Sequence, residues 1–367
     1  MAAISSTSAY SPYRGYATSY ANAGTARTAA STTTATADSA TSVTLSEAAM
    51  AALAERDFTA VLADSHEKLA TLLTEAGRTS PMQDGQLALD LSSLDARELY
   101  AMSSDPGFSD DEREAAGLEM QRRFEAAMAG PAAIARVTGN FTGLYKAAAT
   151  YLDALGPEER ASADWQAGRD AVTEALEQLR TAPGTLPDAG DSDPVALYLA
   201  ITQNGDGVGQ SMTDLAANAR VTLDRLYAQA NANGRAPTFN QKTTTGTYID
   251  VSSFSSSTLS AMVLDEEGRF TSDEVRAARA ALQSKSGATL LASFKSAAKS
   301  GDPTAFSQNI IAAFSSLSAD ERQAAGWSEQ LYQAALQNYA TTSKLMEMFT
   351  QATSNTADTG FAGLLGG

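Results

Sequence analysis

The 367-residue chain contains no cysteine, one histidine (His66) and two tryptophans, and aromatics make up only 7 % of it. Without cysteine there is no disulfide framework, no thiolate nucleophile and no cysteine-based zinc or iron–sulfur site. With a single imidazole, a histidine-rich metal centre is also excluded. His66 lies in the polar stretch DSHEKL, where no partner marks it as a catalytic base, so it reads as a surface residue. No apolar run approaches the ~18 residues that a membrane span needs. The start of the chain also lacks the basic and apolar regions of a Sec-type signal. The expectation is therefore a soluble protein, either cytoplasmic or exported without a Sec signal.

What the chain does contain is acid and alanine. The formal net charge is −17 and the sequence pI is about 4.5. A field of that sign repels phosphate backbones and anionic headgroups, which argues against nucleic-acid partners. An alanine-rich chain poor in aromatics favours helices packed closely through small residues. The expected fold class is mainly α. The first 42 residues are rich in Ser, Thr, Ala and Tyr, with no apolar periodicity, and read as a disordered tail. Ordered structure is expected from VTLSEAAMAALAERDF, with Ser46 as an N-cap and a helix that runs to Gly77.

Internal similarity organises the rest. DLSSLDARELYAM (90–102) matches DVSSFSSSTLSAM (250–262), FSDDEREAA (108–116) matches FTSDEVRAA (270–278), and LGPEERASADW (155–165) matches LSADERQAAGW (317–327). Upstream, LATLLTEA (69–76) pairs with LDRLYAQA (223–230), and the four offsets are 154, 160, 162 and 162 residues. Trp165 and Trp327 fall on equivalent positions and are expected in equivalent cores. Two tandem homologous helical domains follow: repeat 1 at 43–180 and repeat 2 at 214–350. A Pro/Gly/Asp-rich linker and connecting segment (181–213) separates them, and a flexible tail (351–367) follows. VALYLAI (195–201) reads as an apolar strand or the start of a buried helix. QLALDL and TYIDV suggest one short strand per repeat, paired with each other across a pseudo-twofold axis. Charge divides unevenly: 57–180 carries 22 acidic and 11 basic residues, whereas 214–350 carries 13 and 12.

DEEGRFTSDEVRAA (265–278) is the stretch closest to a chemical site. With Gly268 at the sixth position of a calcium loop, Asp265, Glu267, Thr271 and Glu274 fall on ligand positions. This spacing resembles an EF-hand, and it defines an alternative reading as a degenerate EF-hand-like regulatory protein that binds Ca or another divalent cation. Val263, however, stands where the first ligand belongs, and the equivalent loop in repeat 1 is two residues shorter. What both copies keep is Phe, a hydroxyl residue, two positions, then Glu, which is a capping box. Ser109 with Glu112, Thr271 with Glu274, and Ser318 with Glu321 are therefore expected as helix caps. NGDGVGQ (204–210) lacks the lysine and hydroxyl of a phosphate loop and reads as a flexible loop opening a helix near Thr213 or Asp214.

AERDF…GR, LYAM…FSDDEREAA, MAGPAAIARVTGNFTGLYKAA and LSADERQAAGW resemble a family of acidic, alanine-rich bacterial proteins over most of 43–340. That resemblance implies no activity, fold or site. No catalytic residue and no cofactor is assigned. The resulting expectation is a non-enzymatic helical interaction or structural protein with an unidentified protein partner. The Ser/Thr-rich start and the small, nearly uncharged TGFAGLLGG (359–367) resemble the uncleaved terminal signals of flagellar, type III or type I export.

Overall fold

In the computed structural model, residues 56–204, 208 and 211–358 are described. The expected tail at 1–42, the cap at Ser46 and most of NGDGVGQ lie outside them. The protein is mainly helical. The first half comprises α1 (Phe58–Ala76), β1 (Met82–Gln83), β2 (Gln86–Leu87), α2 (Ala96–Ser104), α3 (Asp110–Thr138), α4 (Thr142–Asp153), α5 (Pro157–Arg160) and α6 (Ala163–Thr181). α7 (Pro194–Asn204) connects it to α8 (Met212–Ala232), β3 (Pro237–Thr238), β4 (Thr247–Tyr248), α9 (Ser256–Leu264), α10 (Ser272–Ser300), α11 (Ala305–Ser315), α12 (Ala319–Ala325) and α13 (Glu329–Asp358). The element order of the first half thus recurs in the second. α3 and α10 are each 29 residues long, and both their ends are displaced by 162 residues (110 to 272, 138 to 300). No helix among the described residues is long and apolar enough to cross a membrane.

Local signals set these helices. α1 stops where Gly77 turns left-handed, with φ 65°, and its N–H bonds back to the Leu73 and Thr74 carbonyls. α3 ends at Gly139 (φ 69°) and α10 at Gly301 (φ 68°), a conformation that glycine adopts without strain. α5 starts on Gly156 with Pro157 in its first turn, where the missing N–H costs nothing. Pro131 sits inside α3. It deprives the Ala127 carbonyl of its donor, and Ala127 is exposed, so water can replace it.

Among the described residues, three apolar clusters make up the interior. The first is built from the first half around Leu69, Leu99, Met102, Phe124, Met128 and Tyr145, and α7 completes it with Val195, Tyr198 and Leu199. The second gathers Leu215, Leu223, Ile249, Val251, Leu259, Met262, Phe270 and Leu282. The third joins the halves: Ala133 of α3 meets Ile310 and Ile311 of α11 and Ala335 and Leu336 of α13. Here the backbones approach closely. A Cβ added to Gly130 would lie 2.6 Å from the Ala312 Cα. A second contact brings α8 against α1, and Val221 covers Gly77.

Three expectations need correction, and one open choice is decided. QLALDL and TYIDV do not pair with each other. β1 pairs with β2 as an antiparallel hairpin, and β3 pairs with β4 in parallel. Each two-residue strand finds its partner locally because a neighbour within the same half closes with less chain entropy. The 86–91 stretch meets the second half through side chains instead: Asn218 donates to the Ala88 carbonyl at 2.8 Å and Thr258 to Asp90 at 2.8 Å. Of the two readings of VALYLAI the structure takes the helix: within the connecting segment 181–213, α7 adds its apolar face to the first core. α13 runs on to Asp358, so 351–358 continue a helix with no glycine or proline to stop it. Trp327, finally, packs against the cluster between the halves and not in the second half's own core.

The Gly130 contact yields a test. Gly130→Val is expected to destabilise the protein by about 2 kcal/mol or more in urea unfolding, while Gly143→Ala, where a Cβ meets nothing, leaves it unchanged or slightly more stable. Equal midpoints for Gly130→Val and the native chain would refute the close packing.

Candidate functional site

The three expected caps are built as local physics requires. Ser109, Thr271 and Ser318 each accept from the N–H three residues on, and Glu112, Glu274 and Glu321 each accept from the cap residue's own N–H. A fourth box at Asp95 and Glu98 starts α2. These pairs satisfy donors that a helix start leaves open, each contributing ~1 kcal/mol.

The calcium-loop residues are not brought together as a ligand set. Asp265, at φ 44°, accepts from the Arg269 N–H at 2.6 Å, which closes a turn on the loop itself. Glu267 pairs with Arg269 at 2.5 Å. Glu274 is 1 % exposed and faces inward. Its Oε1 accepts from the Tyr227 hydroxyl (2.6 Å) and the Arg220 guanidinium (2.8 Å), and its Oε2 from the Thr271 N–H (2.6 Å). Burial pushes this carboxyl up, but the hydrogen bonds from Tyr227, Thr271 and Arg220 outweigh it and hold it below the usual range. The same pairing, after burial, raises the Tyr227 hydroxyl. Among the described residues there is no group of three or more His, Asp or Glu side chains that could hold a metal ion.

Arg220 lies 5.7 Å from the centroid of Phe270. In the first half the corresponding pair is His66 and Phe108, stacked at 3.7 Å with 3° between the planes. The histidine is exposed on α1, and its imidazole packs on an aromatic face. Trp165 is half-buried at the edge of the first core and donates to the Leu152 carbonyl at 2.9 Å. Trp327 meets Phe314 edge-on at 6.2 Å, and Phe314 is the residue 162 positions after Leu152.

Other buried carboxylates are also committed. Glu119 is fully buried and holds Arg122 and Arg123, with N–O distances of 2.7 Å to each. Arg123 also donates to the carbonyls of Leu91 and Leu94, fixing the loop before α2. Glu98 pairs with Lys68 at 2.6 Å. Asp193 accepts from Tyr145 at 2.6 Å and from the Val195 N–H at 2.8 Å, which seats α7 on α4.

Glu159 on α5 differs. Its side chain is fully buried, and neither carboxyl oxygen has a hydrogen-bond partner. Burial alone pushes this carboxyl up to about 8. The counterpart Glu321 accepts from the Ser318 N–H and from Ser257 (2.5 Å). PEER resembles any acidic helix start, so sequence alone could not identify this burial.

An open cleft of about 560 Å³ lies between the halves. Arg122, Glu125 and Arg136 line one wall, and Asp320, Glu321 and Arg322 line the other. Charges of both signs alternate around it, so it presents no field of one sign to a small ion. Sequence reading missed this cleft because its walls come from segments nearly 200 residues apart. No known family model, curated protein or solved structure matches the chain.

Two measurements follow. Because Glu159 titrates near 8 folded and near 4.5 unfolded, the native state holds its proton longer. Its contribution is fully present below about pH 4.5 and is lost as pH rises through about 8. Glu159→Gln is therefore expected to match the native chain near pH 4.5 and to exceed it by roughly 3 kcal/mol at pH 7 in urea unfolding. A difference that does not change with pH would contradict the buried, unpaired carboxyl. Calorimetry of the full chain with millimolar calcium is expected to give no binding heat, since Glu274 is already bonded through both oxygens. Heat that disappears in Glu274→Ala would restore the cation reading.

Proposed function

We propose that this chain is a non-enzymatic helical interaction protein built from two copies of one helical unit, and that it acts through its surface. The two-copy reading is supported by the recurring element order, by the common 162-residue displacement of α3 and α10, and by the His66–Phe108 and Arg220–Phe270 pairs at matching places. The surface reading rests on one observation above all. The second half leaves large apolar side chains in solvent: Leu291 and Phe294 on α10, Phe306 on α11, and Leu345, Met346 and Met348 on α13. Phe294 and Phe306 pack edge-on at 5.8 Å, which makes them one connected feature. A connected exposed apolar patch on an acidic, water-facing protein marks a place where another macromolecule binds. The buried carboxylates Glu98, Glu119, Asp193 and Glu274, by contrast, are occupied by caps, ion pairs and hydrogen bonds, and His66 by stacking on Phe108.

Export without a Sec signal is carried by composition alone, through the Ser/Thr-rich start and TGFAGLLGG. The proposal places such a protein outside the cell, where an absence of cysteine is no handicap.

Site-specific photo-cross-linking from position 306 in growing cells tests the binding role. Covalent protein adducts are expected from 306 and none from the solvated face at 299. An absence of adducts at 306 in every growth phase would refute it. Culture supernatants are expected to contain the protein in cells with intact flagellar, type III and type I machinery and to lose it when the responsible one is deleted. Protein found only in cell pellets would refute export.

A further inference from the structure

Arg122, Glu125, Ala129, Ala133 and Arg136 recur every three or four residues along α3, so they share one face and form one wall of the cleft between the halves. The end of α11 and the start of α12 form the other wall, and Tyr198 of α7 contributes to the lining. Its volume of about 560 Å³ falls within the range of pockets that hold small molecules.

The polar groups of this lining divide into those that are satisfied and those that are not. Glu125 accepts from the Gln121 amide at 2.7 Å on one oxygen and from the Val208 N–H at 3.1 Å on the other. Glu321 is likewise bonded through both oxygens, to Ser257 and to the Ser318 N–H. Arg122 is engaged by Glu119 through two N–H groups. Among the described residues, by contrast, the guanidiniums of Arg136 and Arg322 and the carboxylate of Asp320 are in no ion pair or hydrogen bond. Arg322 lies over the Phe314 ring, 4.7 Å from its centroid, which fixes the guanidinium while leaving its in-plane N–H groups free to donate.

Tyr198 is an independent sign of a missing partner. It is only 5 % exposed, and among the described residues its hydroxyl has no hydrogen bond. A buried polar group left in that state is costly, and the cleft is the side from which a partner can reach it. Burial pushes this hydroxyl up, and Arg136 and Glu125 act on it in opposite senses, so both lie within electrostatic reach of it.

The open groups are therefore two guanidiniums and a phenol, which donate, and one carboxylate, which accepts. A carboxylate matches the guanidinium fork, and an ammonium group matches the open aspartate. The chain's net charge of −17 repels a ligand that is a net anion, whereas a zwitterion brings its carboxylate without that penalty. Ala126, Ala129 and Leu317 supply apolar lining for the uncharged part of such a ligand. We propose that the cleft binds a short peptide with free termini, its carboxylate held by Arg136, Arg322 and the Tyr198 hydroxyl and its ammonium by Asp320. The site is separate from the apolar patch on α10 and α11, so it stands or fails independently of the interaction reading above.

Saturation-transfer NMR on the full chain tests it, with the tripeptides Ala-Ala-Ala, Ala-Leu-Ala and Ala-Tyr-Ala at millimolar concentration as probes. Transfer to at least one of them is expected. Blocking either terminus, by acetylation or amidation, is expected to weaken binding by about tenfold, and Arg136→Gln and Arg322→Gln are expected to do the same, since each removes a charge-assisted contact. Tyr198→Phe keeps the ring in the core and is expected to weaken binding by about fivefold with helical circular dichroism unchanged. Lys299→Gln, on the solvated part of α10, leaves binding as it was. An absence of transfer to all three tripeptides overturns the inference. Binding that is indifferent to blocked termini overturns it too, as does binding that survives both Arg322→Gln and Tyr198→Phe, which would place the peptide elsewhere. Acetate that displaces the tripeptide at equal concentration would make the cleft a simple anion site and end the peptide reading.

Discussion

The close approach of α3 and α11 at Gly130 and Ala312 is the constraint on which the rest depends. Neither half is self-contained: α11 and α13 bury Ile310, Ile311, Ala335 and Leu336 partly against each other and partly against Ala133 of the first half. Any side chain larger than hydrogen at position 130 would hold the two helices apart and open this cluster to water. The second contact, α1 against α8, is more polar, with Arg225 reaching Glu75 at 2.8 Å and Arg78 reaching Asp214 at 3.5 Å. Single, half-buried pairs of this kind, one of them as long as 3.5 Å, contribute less than an apolar seam. Registration of the halves therefore comes mainly from the apolar α3–α11 seam. The open cleft beside it follows from that registration.

The two halves also show how similar units come to behave differently. α3 is enclosed on several sides, by α2, α4, α7 and α11, whereas α10 is left largely bare after Leu282. The α10 counterparts of Ala133 and Arg136–Val137 include Lys295 and Lys299, so the face that receives α11 in the first half is solvated in the second. A head-to-tail stack of such units would otherwise continue without end, and a polar outer face at one end stops it. The apolar patch around Phe294 and Phe306 is a different face, and it is the one that remains available for a partner.

Much of the architecture was legible because it is written locally. Ser109, Thr271 and Ser318 each stand three residues before a glutamate, and Gly77 follows a run of helical leucines, so those helix ends need no tertiary information. The apolar VALYLAI was legible as a buried segment, but its place on α4 was not, because Asp193 and Tyr145 are brought together by the loop between them. The strand pairing was misjudged because two residues carry too little pattern to choose a partner. The candidate calcium ligands were read from spacing along the chain, while the orientation of Glu274 is decided by Arg220 and Tyr227, about fifty residues upstream. Gly130, Glu159 and the cleft were invisible for the same reason: each is defined by a neighbour far away in sequence.

The central claim is that the seam makes the two halves one cooperative unit, and each half carries one indole to report on it. Trp165→Phe and Trp327→Phe each leave a single probe. In urea, the fluorescence midpoint of each variant is expected to coincide with the loss of helical circular dichroism, which reports on both halves together. Fluorescence and circular dichroism midpoints that separate, with one half melting while the other persists, would contradict the account.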